Sequence, residues 1–245
     1  AVGLTSVSFS GAIMGDGVDG PHQSRGIALG DIDADGDLDA VVGNESNELN
    51  LVYRNTGGAF TTTPLNVGTD ASRSRDIALG DIDLDGDLDI VAGNFQDPIV
   101  YHLNDGAGNF GTEVDISLTN GRTWPIKLVD IDGDGDLDIV EGQDDSRINY
   151  LYRNSQANNS NLSFDREDIG TDTLSTRSLA FGDINGDGSL DMVSGDHAST
   201  NHLYYGDGSG GLLAGAEIQA GQAWNTFSVV LTDLNGDGAL DLVEG

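Results

Sequence analysis

The sequence predicts an all-β protein: a β-propeller of four-stranded antiparallel blades, with a calcium loop in the first (A–B) hairpin of each. Three observations carry this. A nine-residue acidic loop occurs five times, starting at Asp31, Asp81, Asp130, Asp183 and Asp233. Short apolar, β-prone runs bounded by glycine follow every copy. The 245 residues include 36 Gly and no Cys, so turns are plentiful and no disulfide fastens the chain. A fixed period of this size marks a repeat architecture, in which one supersecondary unit is copied along the chain.

The loops come first, because their chemistry is the most specific. Asp31, Asp33, Asp35, Asp37 and Asp39 form the first; Asp81, Asp83, Asp85, Asp87 and Asp89 the second; Asp130, Asp132, Asp134, Asp136 and Asp138 the third. The fourth has Asp183, Asn185, Asp187, Ser189 and Asp191, and the fifth has Asp233, Asn235, Asp237, Ala239 and Asp241. Calcium takes six to eight hard oxygen ligands. Carboxylates at positions 1, 3 and 5 converge on one point only if the chain then turns sharply, and position 6 is Gly in every copy (Gly36, Gly86, Gly135, Gly188, Gly238). Position 7 is expected to give its backbone carbonyl, so its side chain is free to vary, and it does. Position 9 is always Asp and is expected to close the cage. Two carboxylates about 4 Å apart repel by roughly 4 kcal/mol at an effective dielectric near 20, so a loop with four or five of them calls for a cation. Calcium is favoured over magnesium, which prefers a smaller octahedral site with retained waters. About five Ca2+ per chain are expected, and the two loops with fewer carboxylates are expected to bind more weakly.

A helix-flanked calcium loop begins in the same way, and an EF-hand needs Glu at position 12. Here that position is Val42, Ala92, Glu141, Ser194 and Glu244. The flanks decide against helices: Leu38 to Val42, Leu88 to Ala92, Leu137 to Val140, Leu190 to Val193 and Leu240 to Val243 read as strands, each closed by Gly (43, 93, 142, 195, 245). The loop therefore joins strands A and B of a hairpin. Strand C recurs as Leu49–Tyr53, Pro98–Leu103, Ile148–Tyr152 and His202–Tyr205. Strand D opens on Phe60, Phe110, Phe164 and Leu212. Four antiparallel strands per fifty residues make a propeller blade.

The Asp-x-Asp/Asn-x-Asp-Gly-x-x-Asp loop, set between Leu-Gly-Asp and Asp-Leu/Ile-Val-x-Gly as in residues 79–93, resembles the FG-GAP/VCBS repeat family of integrin α-subunit propellers and bacterial surface proteins. The resemblance spans nearly the whole chain. It implies a propeller with calcium in each A–B loop. It does not imply one activity, since the family includes adhesins, lectins and accessory domains of polysaccharide-degrading enzymes.

One propeller domain, 1–245, is expected. Residues 1–20 would supply the outer strand of a closing blade, 21–70, 71–119, 120–170 and 171–220 full blades, and 221–245 an incomplete one. The sequence leaves open whether the ring continues past Gly245 to six or seven blades, closes at five, or is completed by a neighbouring subunit through strand addition. Net charge is −32, and the loops hold 21 of the 42 acidic residues. So acidic a chain is a poor partner for nucleic acid or anionic lipid. No segment reads as membrane-inserting, and Lys127 is the one lysine. Weak structural calcium sites favour the cell surface or exterior.

Cations are scarce, and six of the nine Arg (25, 73, 75, 122, 147, 177) fall in or beside the D–A or B–C connections, on the rim opposite the acidic loops. Seven residues before each loop stands a hydroxyl: Ser24, Ser74, Thr123, Thr176, Thr226. Six before it stand Arg25, Arg75, Trp124, Arg177 and Phe227. Arg25, Arg75, Trp124, Arg177 and Trp224 are the candidate ligand face, suited to a glycan or a protein loop. The competing expectation is structural: Arg pairing with Asp76, Asp144 or Asp145, and hydroxyls capping turns. The four His share no spacing, so no zinc site is expected. Asn44, Asn158 and Asn161 match the glycosylation acceptor motif. The functional expectation is a non-enzymatic extracellular adhesion or recognition module. The alternatives are a structural subunit of a surface filament or sheath with self-assembly, or an accessory or catalytic domain of a polysaccharide-degrading enzyme.

Overall fold

A computed structural model describes residues 23–117, 120–155, 162–221 and 224–245. The described residues contain no helix. Blade I consists of β1 (Gln23–Gly30), β2 (Asp39–Glu45), β3 (Glu48–Tyr53) and β6 (Leu65–Ser72), with a small hairpin, β4 (Asn55–Thr56) and β5 (Ala59–Phe60), before its outer strand. Blade II has β7 (Ser74–Gly80), β8 (Asp89–Asn94), β9 (Val100–His102) and β10 (Val114–Asp115). Blade III has β11 (Thr123–Val129), β12 (Asp138–Gln143), β13 (Arg147–Asn154) and β14 (Phe164–Leu174). Blade IV has β15 (Thr176–Gly182), β16 (Asp191–Ser199), β17 (Asn201–Gly206) and β18 (Leu212–Ile218). Then β19 (Trp224–Asn225) pairs with β16, and β20 (Val229–Thr232) pairs with β21 (Asp241–Glu244) as a two-stranded sheet. The outer strand expected within residues 1–20, like the acceptors Asn158 and Asn161, lies outside the described residues.

Each sheet is a meander of antiparallel neighbours, and the first strands of successive blades touch one another, β1 with β7, β7 with β11, β11 with β15 and β15 with β20. The second strands are sandwiched between blades and buried on both faces, which is why they read as unbroken apolar runs. Three cores follow, one at each junction among blades I to IV. Ile32, Val41, Val52 and Val67 of blade I meet Ile77, Ile90 and Val100 of blade II. Ile82, Ile99 and Tyr101 meet Ile126, Ile139 and Tyr152. Ile131, Leu151 and Ile169 meet Leu179, Met192 and Tyr204.

The glycine after each second strand has a steric reason. A Cβ on Gly43 would come 2.8 Å from Ile77 of the next blade, and one on Gly93 would come 2.8 Å from Thr123. Blades approach this closely only where the side chain is absent. Phe60, Phe110, Phe164 and Leu212 each face the residue that ends or follows the third strand (Asn55, Asn104, Asn154 and Gly206). In blades I and II this contact is separate from the outer strand proper, so strand D starts later there than its apolar residue indicates.

Candidate functional site

The five acidic loops share one backbone. Position 6 takes a left-handed φ throughout, +93° at Gly36 and +100° at Gly86. Position 4 does so too, and there two side chains accept it: Ala34 at +57° and Leu84 at +58°. The first Asp gathers the turn. Asp31 accepts the N–H groups of Asp35 and Gly36 at 3.1 and 3.0 Å, and Asp81 accepts those of Asp85 and Gly86 at the same distances. Asp130, Asp183 and Asp233 each accept the N–H of their own position-6 glycine. The position-5 carboxylate accepts the N–H of position 7 in all five loops.

These turns leave converging oxygens. Asp31, Asp33 and Asp39 offer oxygens within 4.8 Å of one another, as do Asp81, Asp83 and Asp85, and Asp130, Asp132 and Asp138. Within the first trio, Asp33 Oδ1 is buried and has no hydrogen-bond partner. A buried carboxylate oxygen without a donor is costly, and a hard cation at that point would satisfy it. The donor set fits a hard divalent cation such as calcium, which Asp31, Asp33, Asp35 and Asp39 and their counterparts could hold. Burial raises Asp83, and its neighbour Asp85 raises it further. Burial likewise pushes Asp89 up to about 7, with Asp83 and Asp85 adding to it, and Asp138 up to about 6. In the fourth and fifth loops, where Asn185 and Asn235 replace the third Asp, no trio of acidic side chains forms among the described residues.

The ninth Asp does more than face the cage. Asp39 accepts the N–H of Ile32 and of Asn55; Asp89 those of Ile82 and Asn104, at 3.1 and 2.9 Å; Asp138 those of Ile131 and Asn154, at 3.1 and 2.8 Å. All three are buried. They pin the acidic loop to the end of the third strand. From there Asn104 donates to the carbonyl of Ile32 in the preceding loop, and Asn154 to that of Ile82, each at 2.8 Å.

The opposite rim is built from side chains. Ser24 donates to Asn44, Ser74 to Asn94 and Thr176 to Asp196, at 2.8, 2.7 and 2.8 Å. Asn50 of blade I donates to Ser74 of blade II, and Asn149 of blade III to Thr176 of blade IV. In blade III, Thr123 and Gln143 both donate to Glu141. Apart from Ser24, which is exposed, these hydroxyls and amides are buried, and the hydroxyls bond to other side chains rather than capping turns through the backbone as expected. Asn44, buried in this ladder, is no accessible glycosylation acceptor.

The residues one step further on do something else. The guanidinium carbons of Arg25, Arg75 and Arg177 lie 5.6, 4.4 and 3.9 Å from the ring centre of Trp124. Arg75 also lies 3.6 Å from Phe95. Glu45 pairs with Arg25 and Arg75 at 2.6 and 3.1 Å, and Asp144 with Arg177 and Arg75 at 2.8 and 3.6 Å. Burial opposes ionisation of Glu45, but Arg25 and Arg75 hold its carboxyl below the usual range. Three cations against two anions leave this spot net positive on a chain of −32. Arg75 Nη1 and Arg177 Nε are buried without a hydrogen-bond partner.

FG-GAP-like repeats match the chain four times in overlapping stretches, residues 31–92, 81–141, 130–194 and 183–244. The chain belongs to the FG-GAP-like repeat family. No curated protein matched it in sequence. Among solved structures, a lectin of Agrocybe aegerita that recognises non-reducing terminal N-acetylglucosamine superposes with a TM-score of 0.60 at 20% identity, covering 91% of this chain and 60% of the lectin. The V. cholerae biofilm matrix protein Bap1 gives 0.54 at 22%, covering 91% of this chain and 35% of that one. The N-terminal part of BBS1, in complex with ARL6, gives 0.52 at 10%, covering 90% and 57%. At these identities the likeness shows the fold, a β-propeller. The FG-GAP-like chain spans 60% or less of each of these structures.

Of the five candidate ligand-face residues, four come together, Trp124 with its three guanidiniums. Trp224 does not join them: it lies 55% exposed on β19. The expected Arg partners are corrected in one case. Asp144 and Asp145 do take Arg, the latter Arg122. Asp76 instead accepts the N–H of Ile126 from the next blade at 3.0 Å. Sequence reasoning missed Phe95 and Glu45, although Glu45 directly follows an amide already singled out.

Proposed function

We propose that this chain is a calcium-stabilised extracellular recognition module in which the acidic rim is scaffold and the opposite rim binds a glycan or a protein loop. The guanidinium–indole cluster carries this reading: Arg25, Arg75 and Arg177 packed on Trp124, three cations against the two carboxylates of Glu45 and Asp144. A surplus of guanidinium favours a ligand bearing a carboxylate or another planar acceptor. The structural neighbours, a lectin and a biofilm matrix protein, agree with recognition or adhesion and with an extracellular setting. Catalysis is not part of the proposal.

The test is an array of glycans and matrix proteins probed with the native chain and with Arg177→Ala, in millimolar calcium and in EDTA, alongside thermal melts. Binding should weaken at least tenfold in a folded Arg177→Ala. Undiminished binding by that variant would remove the ligand face. A melt indifferent to EDTA would remove the calcium scaffold.

Self-association is the second reading. Ile27 and Leu29 on β1 are 55% and 59% exposed, whereas their counterparts in blade II, Ile77 and Leu79, are buried and half-buried. Sedimentation at rising concentration checks it, and a monomer throughout would dismiss it.

A further inference from the structure

The acidic loops share a backbone but not a counter-charge. The residue just before Asn55, Asn104 and Asn154, at the end of each third strand, differs between blades: Arg54 in blade I, Leu103 in blade II and Arg153 in blade III. Arg54 Nη1 lies 3.6 Å from Oδ2 of Asp33, the third residue of its own blade's acidic loop. Arg153 Nη1 lies 3.0 Å from Oδ2 of Asp132, at the same place in blade III. Leu103 instead packs against the core between blades II and III. Asp83 is left with other carboxylates, Asp81 and Asp85, for neighbours, and it has no ion pair among the described residues.

Both arginines are held where they are. Arg54 also donates to the carbonyl of Ala107, in the turn between β9 and β10 of the next blade. Arg153 donates through Nε to Glu167 of β14 at 2.8 Å, and a Cβ on Gly210, in the corresponding turn of blade IV, would run into its guanidinium. Their side chains are only 28% and 18% exposed, so solvent screens their charges only in part. The carboxylates group differently too. Where an arginine meets the third Asp, the converging trio is completed by the ninth, Asp39 or Asp138; in blade II it is completed by the fifth, Asp85.

We infer that Arg54 and Arg153 are built-in competitors of calcium, so that the acidic loop of blade II fills first and those of blades I and III only at higher concentration. The inference rests on the calcium scaffold proposed above. The calcium affinity of an oxygen cage is set by the charge its ligands bring and by its rigidity. A guanidinium on the third Asp cancels one of those charges and repels the incoming dication. Fixing that Asp acts in the opposite direction, but so short a side chain has little rotamer freedom to lose. A unit charge facing a dication across a few ångströms is the larger effect, even when partly screened. Glu167 offsets part of the charge of Arg153 and none of the charge of Arg54, whose second partner is a neutral carbonyl.

The experiment starts from the full chain in millimolar calcium and lowers free calcium with a chelator buffer. The amide resonances of Gly36, Gly86 and Gly135 are followed by NMR, because these N–H groups bond Asp31, Asp81 and Asp130 and so report each loop separately. Gly86 should hold its calcium-loaded position to a free concentration about tenfold lower than Gly36 and Gly135. Arg54→Met, which keeps the stem and removes the charge, should lower the midpoint of Gly36 by about tenfold and leave that of Gly86 in place. Arg153→Met should move Gly135 in the same direction, and Arg54→Lys should leave Gly36 near its native midpoint. Equal midpoints at all three glycines in the native chain overturn the inference and leave the scaffold standing. A Gly36 midpoint that stays or rises in Arg54→Met also overturns it. Silence at all three glycines removes the calcium scaffold, and this inference with it.

Discussion

The two rims solve the same problem, fastening the ends of strands, by opposite means. On the acidic rim, carboxylates bond to backbone N–H groups a few residues away, as Asp81 does with Asp85 and Gly86. On the other rim, hydroxyls, amides and guanidiniums bond side chain to side chain across 20 residues or more, as Ser24 does with Asn44 and Asn50 with Ser74. A local solution can be copied intact with each repeat. A long-range one depends on which residue each blade contributes, so that rim is free to diverge into a ligand surface. The acidic rim is therefore uniform and the other rim individual.

Chelation should separate the rims most sharply. If free calcium is about 100 times Kd, each filled loop stabilises the fold by roughly 2.7 kcal/mol. EDTA should then lower the melting temperature by many degrees, while Arg177→Ala leaves that EDTA response intact. An equal EDTA response in a variant lacking Asp33, Asp83 and Asp132 would break the comparison. Next in size, Asp89→Ala removes a buried carboxylate that accepts from Ile82 and Asn104. Two bonds to a charged group at about 1.5–3 kcal/mol each predict a loss of about 3–6 kcal/mol in urea titration. The exposed Asp85→Ala should lose far less when both are compared in EDTA.

Glu141 tests the side-chain rim by pH. Burial pushes its carboxyl up to about 7 from an ordinary 4.5, against the pull of Thr123 and Tyr152. The folded state thus keeps a proton that the unfolded chain releases. The resulting stability is fully present below about 4.5 and is lost as pH rises through about 7. The span is on the order of 3 kcal/mol. Urea titrations at pH 5 and 8 should show Glu141→Gln losing less stability than the native chain over that interval; parallel losses would refute the assignment. Smallest of all, Thr176→Val should cost about 1–2 kcal/mol, because it takes an acceptor from Asn149 and a donor from Asp196 in a buried ladder. Ser24→Ala, at an exposed position, should cost less than that.

The sequence announced whatever is local or repeated. Gly36 and its counterparts were legible because their cause, the turn after the carboxylates, lies within the loop; the apolar second strands and the glycine closing each one were legible because they recur in every repeat, although their cause is contact with the next blade, as for Gly43 against Ile77. The left-handed Ala34 and Leu84 were not, since neither type favours that conformation; only Gly133, Gly186 and Gly236 at the same position hinted at it. The ninth Asp read as a metal ligand, and its second task, holding the third strand, needed the blade to be folded. The meeting of Arg25, Arg75 and Arg177 on Trp124 follows from the curvature of the ring, which brings residues about 50 and 100 positions apart to one point.

The asparagines that cross between blades give the array a grain. Asn104 and Asn154 each clasp the loop behind them, but blade IV carries Gly206 at that place and has no such hook. In a linear array with nearest-neighbour coupling, rupture starts at the weakest joint and runs outward. Hydrogen exchange should find the loop around Ile131 opening before those around Ile32 and Ile82, and uniform protection at all three would deny it. Pulled, heated or nicked, this chain should come apart as a three-blade block and a remainder, a tear line set by one missing side chain.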